Sequence, residues 1–131
     1  MEKKLALIVE DNSLLSGLFA RALRDVGFDT LILDDGRKAL DWLRQDAPHL
    51  LLLDMHLPFI SGKQIVQEIN GDQRFTDTYI TIVTADARMG ISLADKASFL
   101  LNKPVDIQQL QQLAERLKNG TARPTGQLSV Q

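Results

Sequence analysis

The sequence predicts one α/β domain, a single doubly wound (βα)5 unit around a central five-stranded parallel sheet. Three observations predict it. Short apolar runs and amphipathic stretches alternate five times along the 131 residues. The apolar runs are continuous, as strands covered on both faces require. The length suits one domain with a sizeable core, and 44% hydrophobic with 24% charged residues is ordinary for a globular chain. Strict alternation of the two segment types then implies parallel strands joined by right-handed crossovers.

The first strand is expected in LALIV at 5–9. From Ser13, apolar residues at Leu14, Leu15, Leu18, Phe19, Ala22, Leu23 and Val26 form a helical stripe, with Gly27 as its stop. FDTLIL at 28–33 is the second strand, and it should lie at an edge. A second helix carries Ala39, Leu40 and Leu43 with Trp42 beside them, and Pro48 closes that segment. HLLLL at 49–53 is the third strand. The third helix carries Ile65, Val66 and Ile69 and ends near Asn70-Gly71. YITIV at 79–83 is the fourth strand, followed by a weakly patterned helix over 86–96 that contains Gly90. SFLL at 98–101 is the fifth strand. The last helix holds Ile107, Leu110, Leu113, Ala114 and Leu117, with Asp106 as N-cap and Asn119-Gly120 at its end. The domain is expected over 1–120, and residues 121–131, TARPTGQLSVQ, read as a flexible C-terminal tail.

Composition removes several function classes. There is no cysteine, hence no disulfide, thiolate metal site or thiol nucleophile, which fits a cytoplasmic protein. A net charge of -2 without a large Lys/Arg cluster argues against direct nucleic-acid binding. LALIV is too short for a membrane span and carries no signal-peptide cleavage pattern.

In open α/β sheets, sites form where strands end at their carboxyl side. Glu10-Asp11 follow the first strand, Asp54 the third, Thr84 the fourth and Lys103-Pro104 the fifth. Each has a structural explanation when taken alone: a helix cap, a turn residue, a solvated lysine. Together they place three carboxylates, a hydroxyl and an ammonium on one rim. Three carboxylates repel unless a hard cation holds them, and Mg²⁺ takes such oxygen ligands. A carboxylate nucleophile, a cation and donors for an oxyanion make a phosphoryl-transfer site.

This ordered set resembles the receiver domain of two-component response regulators, a flavodoxin-like fold. The resemblance rests on Glu10-Asp11, the DMHLPFISG segment with Asp54, Pro58 and Gly62, then Thr84-Ala85 and Lys103-Pro104, and covers about residues 4–119. It implies that Asp54 is the phosphoacceptor, taking its phosphoryl group from a phosphohistidine on a sensor histidine kinase or phosphotransfer protein. It implies that Asp11 and Asp54 bind Mg²⁺ (or Mn²⁺ as a substitute), with Glu10 acting largely through water and the His56 backbone carbonyl adding an oxygen. Thr84 and Lys103 would hold phosphoryl oxygens, the Lys103-Pro104 bond would be cis, and Pro58 and Gly62 would shape the loop after Asp54. His56 and Asp86 occupy positions that influence phosphoryl lifetime. A His–Asp pair across the site mouth would make dephosphorylation vary near a histidine pKa of ~6.5. His49 is assigned no role.

The chain also departs from the family. The inward-swinging aromatic three residues before the lysine is replaced by Leu100, with Phe99 one residue earlier and on the opposite strand face. The Gly-Ala pair usual before that strand is Lys96-Ala97 here. The fourth helix and fifth strand are therefore expected to transmit the signal differently or weakly. An unidentified downstream protein is the expected output, with a homodimer through the fourth helix, fifth strand and fifth helix as an option. A scaffold that binds without phosphorylation is the alternative. A flavodoxin-like electron carrier is disfavoured, because the acidic EDNSLLSG would repel a phosphate, and neither the Rossmann glycine fingerprint nor a P-loop is present.

Overall fold

The computed structural model describes residues 4–120 together with Ser129–Val130. In chain order the elements are β1 (Leu5–Val9), α1 (Ser13–Val26), β2 (Asp29–Leu33), α2 (Gly36–Leu43), β3 (Leu50–Asp54), α3 (Gly62–Ile69), β4 (Tyr79–Thr84), α4 (Ala87–Ser92), β5 (Phe99–Asn102), α5 (Ile107–Lys118) and β6 (Ser129–Val130). The five expected strands form one parallel sheet in the order β2-β1-β3-β4-β5, and β6 adds two residues alongside Phe99 and Leu100. The tail expected over 121–131 otherwise lies outside the described residues. No described helix is long and apolar enough to cross a membrane.

Both faces of the sheet are covered, and alternate residues of each strand serve opposite layers. Ala6, Ile8, Leu50, Leu52 and Phe99 meet Phe19 and Leu23 of α1 and Leu110, Leu113 and Leu117 of α5. Leu7, Val9, Leu51 and Leu53 meet Leu43 of α2 and Ile65 and Val66 of α3. All five residues of β3 are buried, flanked by β1 and β4. Burying each leucine there contributes about 1.5–3 kcal/mol. That burial holds the end of β3 at a fixed height in the rim.

Local chemistry sets the helix ends. Asn12 caps α1 by accepting from Leu15 N, and Gly27 ends it at φ 113. Asp35 caps α2, Ser61 and Gln64 form a capping box on α3, and Asp106 caps α5. Helix α4 differs from the sequence expectation. It spans only six residues, because the chain leaves helical geometry at Leu93 (φ -109, ψ 12). The polar stretch before β4 also contains a 3₁₀ turn, Gln73–Phe75, anchored by buried Phe75.

Two glycines clear space for the loop that follows β3. A Cβ on Gly36 would stand 1.8 Å from the Ile60 carbonyl oxygen, and one on Gly62 would stand 2.3 Å from the Asp54 carbonyl oxygen. Gly17, inside α1, has nothing within 4 Å of such a carbon. Gly36→Ala is therefore expected to destabilise the fold by about 1–3 kcal/mol through overpacking against backbone. Gly17→Ala should stabilise it by about 0.5–1 kcal/mol through lower chain entropy. Urea-denaturation midpoints measure both, and equal shifts for the two variants would refute the steric reading of Gly36.

Candidate functional site

The site is assembled where β1, β3, β4 and β5 end. Glu10 follows β1, and its backbone N–H donates to Leu33 O at 3.1 Å. Its side chain is buried at 2% exposure, and Asn12 N donates to Oε2 at 3.1 Å. Asp54 ends β3 at 3% exposure, and His56 N donates to its Oδ1 at 3.3 Å. Asp11 stands exposed beside them. Oxygens of Glu10, Asp11 and Asp54 lie within 4.8 Å of one another.

Lys103 faces this cluster from the end of β5. Its Nζ is 3.2 Å from Glu10 Oε1 and 3.3 Å from Asp54 Oδ1. The Lys103-Pro104 peptide is cis. Burial raises the Glu10 pKa, and the neighbouring Asp54 charge adds to the rise, against Asn12 and Lys103, which lower it. Burial works against the Lys103 charge, yet Asp54 and Glu10 outweigh it, and the Lys103 pKa is raised. The signs translate directly to stability. The Glu10 contribution is fully present below the ordinary carboxyl pKa and is lost as pH rises through the raised folded value. The Lys103 contribution persists through neutral pH and is lost only as alkaline pH passes its raised value.

Thr84 is fully buried at the end of β4. Its Oγ1 accepts from Asp86 N at 3.0 Å and donates to Asp86 O at 3.3 Å. Asp86 in turn caps α4 by accepting from Arg88 N, and its carboxylate lies 3.8 Å from Arg88 Nε. His56 is exposed, and no hydrogen bond or ion pair joins its side chain to Asp86 among the described residues. The His–Asp pair considered from the sequence is thus not formed here, since the cap and Arg88 engage the Asp86 carboxylate.

Pro58 is exposed in the loop after Asp54, and its carbonyl accepts from Gly36 N at 3.3 Å and Ile60 N at 2.8 Å. Gly62 N donates to Met55 O at 3.3 Å and closes that loop. Phe99 packs in the α1–α5 layer, whereas Leu100 packs in the opposite layer. A Cβ on Gly90 of α4 would lie 2.5 Å from Leu100 Cδ1. His49 sits between Phe28 and Tyr79 with Nε2 3.1 Å from Leu117 O, a structural position.

The donor set suits a hard divalent cation. It is all oxygen, it is partly desolvated, and buried Glu10 Oε1 is met by the Lys103 ammonium at 3.2 Å with no backbone N–H donating to it among the described residues. Sequence reasoning missed two features of this rim. Phe59 adopts φ 70, and the Arg37 guanidinium lies 3.6 Å from its ring centroid. No pattern signals either feature, since the pair joins the start of α2 to a loop 22 positions later.

Comparisons with known proteins agree with this geometry. The family model described as response regulator receiver domain matches residues 6–115. The polar-differentiation response regulator DivK of Brucella ovis is 34% identical over 87 residues, covering 66% of this chain and 71% of that protein. The DNA-binding response regulator MtrA of Mycobacterium leprae is 29% identical over 125 residues, covering 95% of this chain and 56% of that protein. The chain therefore spans a little over half the length of the MtrA proteins that it matches. A solved receiver domain of a Pseudomonas aeruginosa sensor histidine kinase, with a magnesium ion coordinated in its active-site cleft, superposes with a TM-score of 0.79 at 25% identity, covering 90% of this chain and 99% of that one.

Removing the Lys103 ammonium leaves two buried carboxylates facing each other. Lys103→Met is expected to cost about 1–3 kcal/mol in metal-free buffer, a figure reduced because the lysine is 25% exposed. Millimolar Mg²⁺ should recover more stability in this variant than in the parent chain. Thermal midpoints with and without Mg²⁺ test this, and equal gains would count against carboxylate repulsion as the cause.

Proposed function

The chain belongs to the response regulator receiver domain family, and from that premise we propose that residues 1–120 act as a phosphoacceptor signalling module. In this reading Asp54 accepts a phosphoryl group from a phosphohistidine on a sensor kinase or phosphotransfer protein. The observation that carries the reading is the Lys103 ammonium lying within 3.3 Å of both Glu10 and Asp54 at the strand ends. A structural salt bridge needs one carboxylate. A third, Asp11, converges on the same point.

One Asp54 carboxylate oxygen attacks phosphorus. The new O–P bond forms as the P–N bond breaks, and the electron pair leaves with the imidazole. Burial of Asp54 keeps bulk water away and fixes the angle of attack. Lys103 then exchanges a carboxylate contact for a phosphoryl oxygen. The Thr84 hydroxyl does the same by turning from the Asp86 carbonyl to donate to another oxygen. Glu10, Asp11, Asp54 and the His56 backbone carbonyl would hold Mg²⁺, which when bound supplies neutralisation of charge on the phosphoryl oxygens. The solved kinase receiver with magnesium in its cleft supports that assignment.

Thr84 also supports a route for output. Its hydroxyl accepts from the amide of Asp86, the residue that caps α4. Recruitment of that hydroxyl to a phosphoryl group would loosen the start of a six-residue helix. The signal would thus leave through α4 and β5 to a protein partner without an aromatic swing. On that face Arg88 lies 3.8 Å from Asp86 and Lys96 lies 3.6 Å from Asp95. Charge pairing across a homodimer would compete with those contacts.

Incubation with Mg²⁺ and acetyl phosphate tests the proposal by intact mass. The parent chain should gain one phosphoryl group, Asp54→Asn should gain none, and Lys103→Met should be labelled far more slowly. An unlabelled parent chain would overturn the reading in favour of a phosphorylation-independent scaffold.

A further inference from the structure

Phe59 is an anomaly. Left-handed backbone suits glycine or asparagine, and a β-carbon makes it costly. Phe59 nevertheless holds φ 70, and its side chain is 69% exposed, so burial does not compensate. The strain persists because the surroundings over-determine it. The Pro58 carbonyl accepts two backbone N–H groups, and Gly36 leaves room for Ile60 O. Backbone strain of this kind is retained at functional positions.

Arg37 sits on the ring, its guanidinium carbon 3.6 Å from the centroid. Such a contact at an exposed site is weakly stabilising, so it does not offset the strain by itself. Among the described residues no carboxylate pairs with Arg37; the nearby Asp34 is held by Lys38 at 2.8 Å and Asp35 caps α2. One ring face and the edge of the guanidinium fork are therefore presented to solvent together. Aromatic and arginine side chains, held rigid beforehand, are the usual energetic centres of protein interfaces.

We infer that Arg37 and Phe59 form a docking platform for the phosphodonor protein, taking an apolar side chain on the open ring face and a carboxylate on the guanidinium. The inference rests on the phosphoacceptor reading above. Position names the occupant: the loop that carries Phe59 leaves the same strand end as Asp54 and is tied to the start of α2 through Gly36 N and Pro58 O, so it flanks the approach of a donor protein to 3%-exposed Asp54. The unpaired cation selects the chemistry, an acidic residue beside an apolar one on the donor's surface. Acetyl phosphate is too small to touch the platform while reacting at Asp54, and this separates the two readings.

The test uses the full chain with two kinds of donor, acetyl phosphate and the phosphorylated sensor-kinase cores and phosphotransfer proteins of the source organism. Phe59→Gly removes the ring at a backbone conformation that glycine adopts freely, and acetyl phosphate labelling of the same variant checks that the site is intact. Arg37→Gln removes the charge. Each should lower kcat/KM for transfer from the kinase core or phosphotransfer protein that labels the parent by about tenfold or more, with acetyl phosphate labelling unchanged. Transfer within about twofold of the parent would overturn the platform. So would a matching loss with acetyl phosphate, which would place Phe59 in the reacting site itself. If acetyl phosphate labels the parent and no kinase core or phosphotransfer protein does, the phosphodonor is the wrong occupant. If acetyl phosphate fails on the parent, the phosphoacceptor reading falls first and takes the platform with it.

Discussion

Two carboxylates almost sealed from solvent face a single ammonium, and the rest of the rim is arranged around that imbalance. Glu10 and Asp54 are 2% and 3% exposed, and among the described residues Lys103 is the cation that stands between them. One positive charge does not neutralise two buried negative ones, and exposed Asp11 adds a third nearby. Desolvation makes the deficit expensive, and any added cation is therefore drawn to this point. The same imbalance explains why the lysine is held in place. It is the group with most to lose if it swings away.

The sheet is what allows such an arrangement to persist. Strand β3 is covered on both faces and flanked by β1 and β4, so Asp54 inherits the rigidity of the core. The loop after it is bounded by two absent side chains, those of Gly36 and Gly62. Rigid strands thus deliver the charges, and closely fitted turns keep them facing one another. The carbonyl and amide of Asp86 occupy the Thr84 hydroxyl, which ties the charge cluster to the beginning of α4.

Much of this was legible in the sequence, for identifiable reasons. Continuous apolar runs such as LLLL at 50–53 name strands buried on both sides, and residues at strand ends can be placed on one rim without knowing distances. Glu10, Asp11, Asp54, Thr84 and Lys103 could be read that way because each lies within two residues of the end of an apolar run. Helix α4 was overextended because its stretch has no periodicity and its end depends on the geometry of Leu93. Phe75 anchors a turn in a polar stretch, where one buried residue makes no pattern. The pairing of Ser129–Val130 with β5 is set by neighbours rather than by composition. The left-handed Phe59 runs against its own residue preference, and local reasoning fails at such places by construction.

The Gly90–Leu100 contact has a consequence for how this domain can vary. Leucine methyls occupy the volume a side chain at 90 would need, with 2.5 Å of clearance where a methyl group would go. Positions 90 and 100 therefore share one fixed allotment of space between α4 and β5. A larger residue at either site demands a smaller one at the other, or an outward step of the helix. Across descendants of this chain the two positions would be inherited as a unit, and a lineage that acquired an aromatic ring at 100 would have to reseat α4 before it could use it.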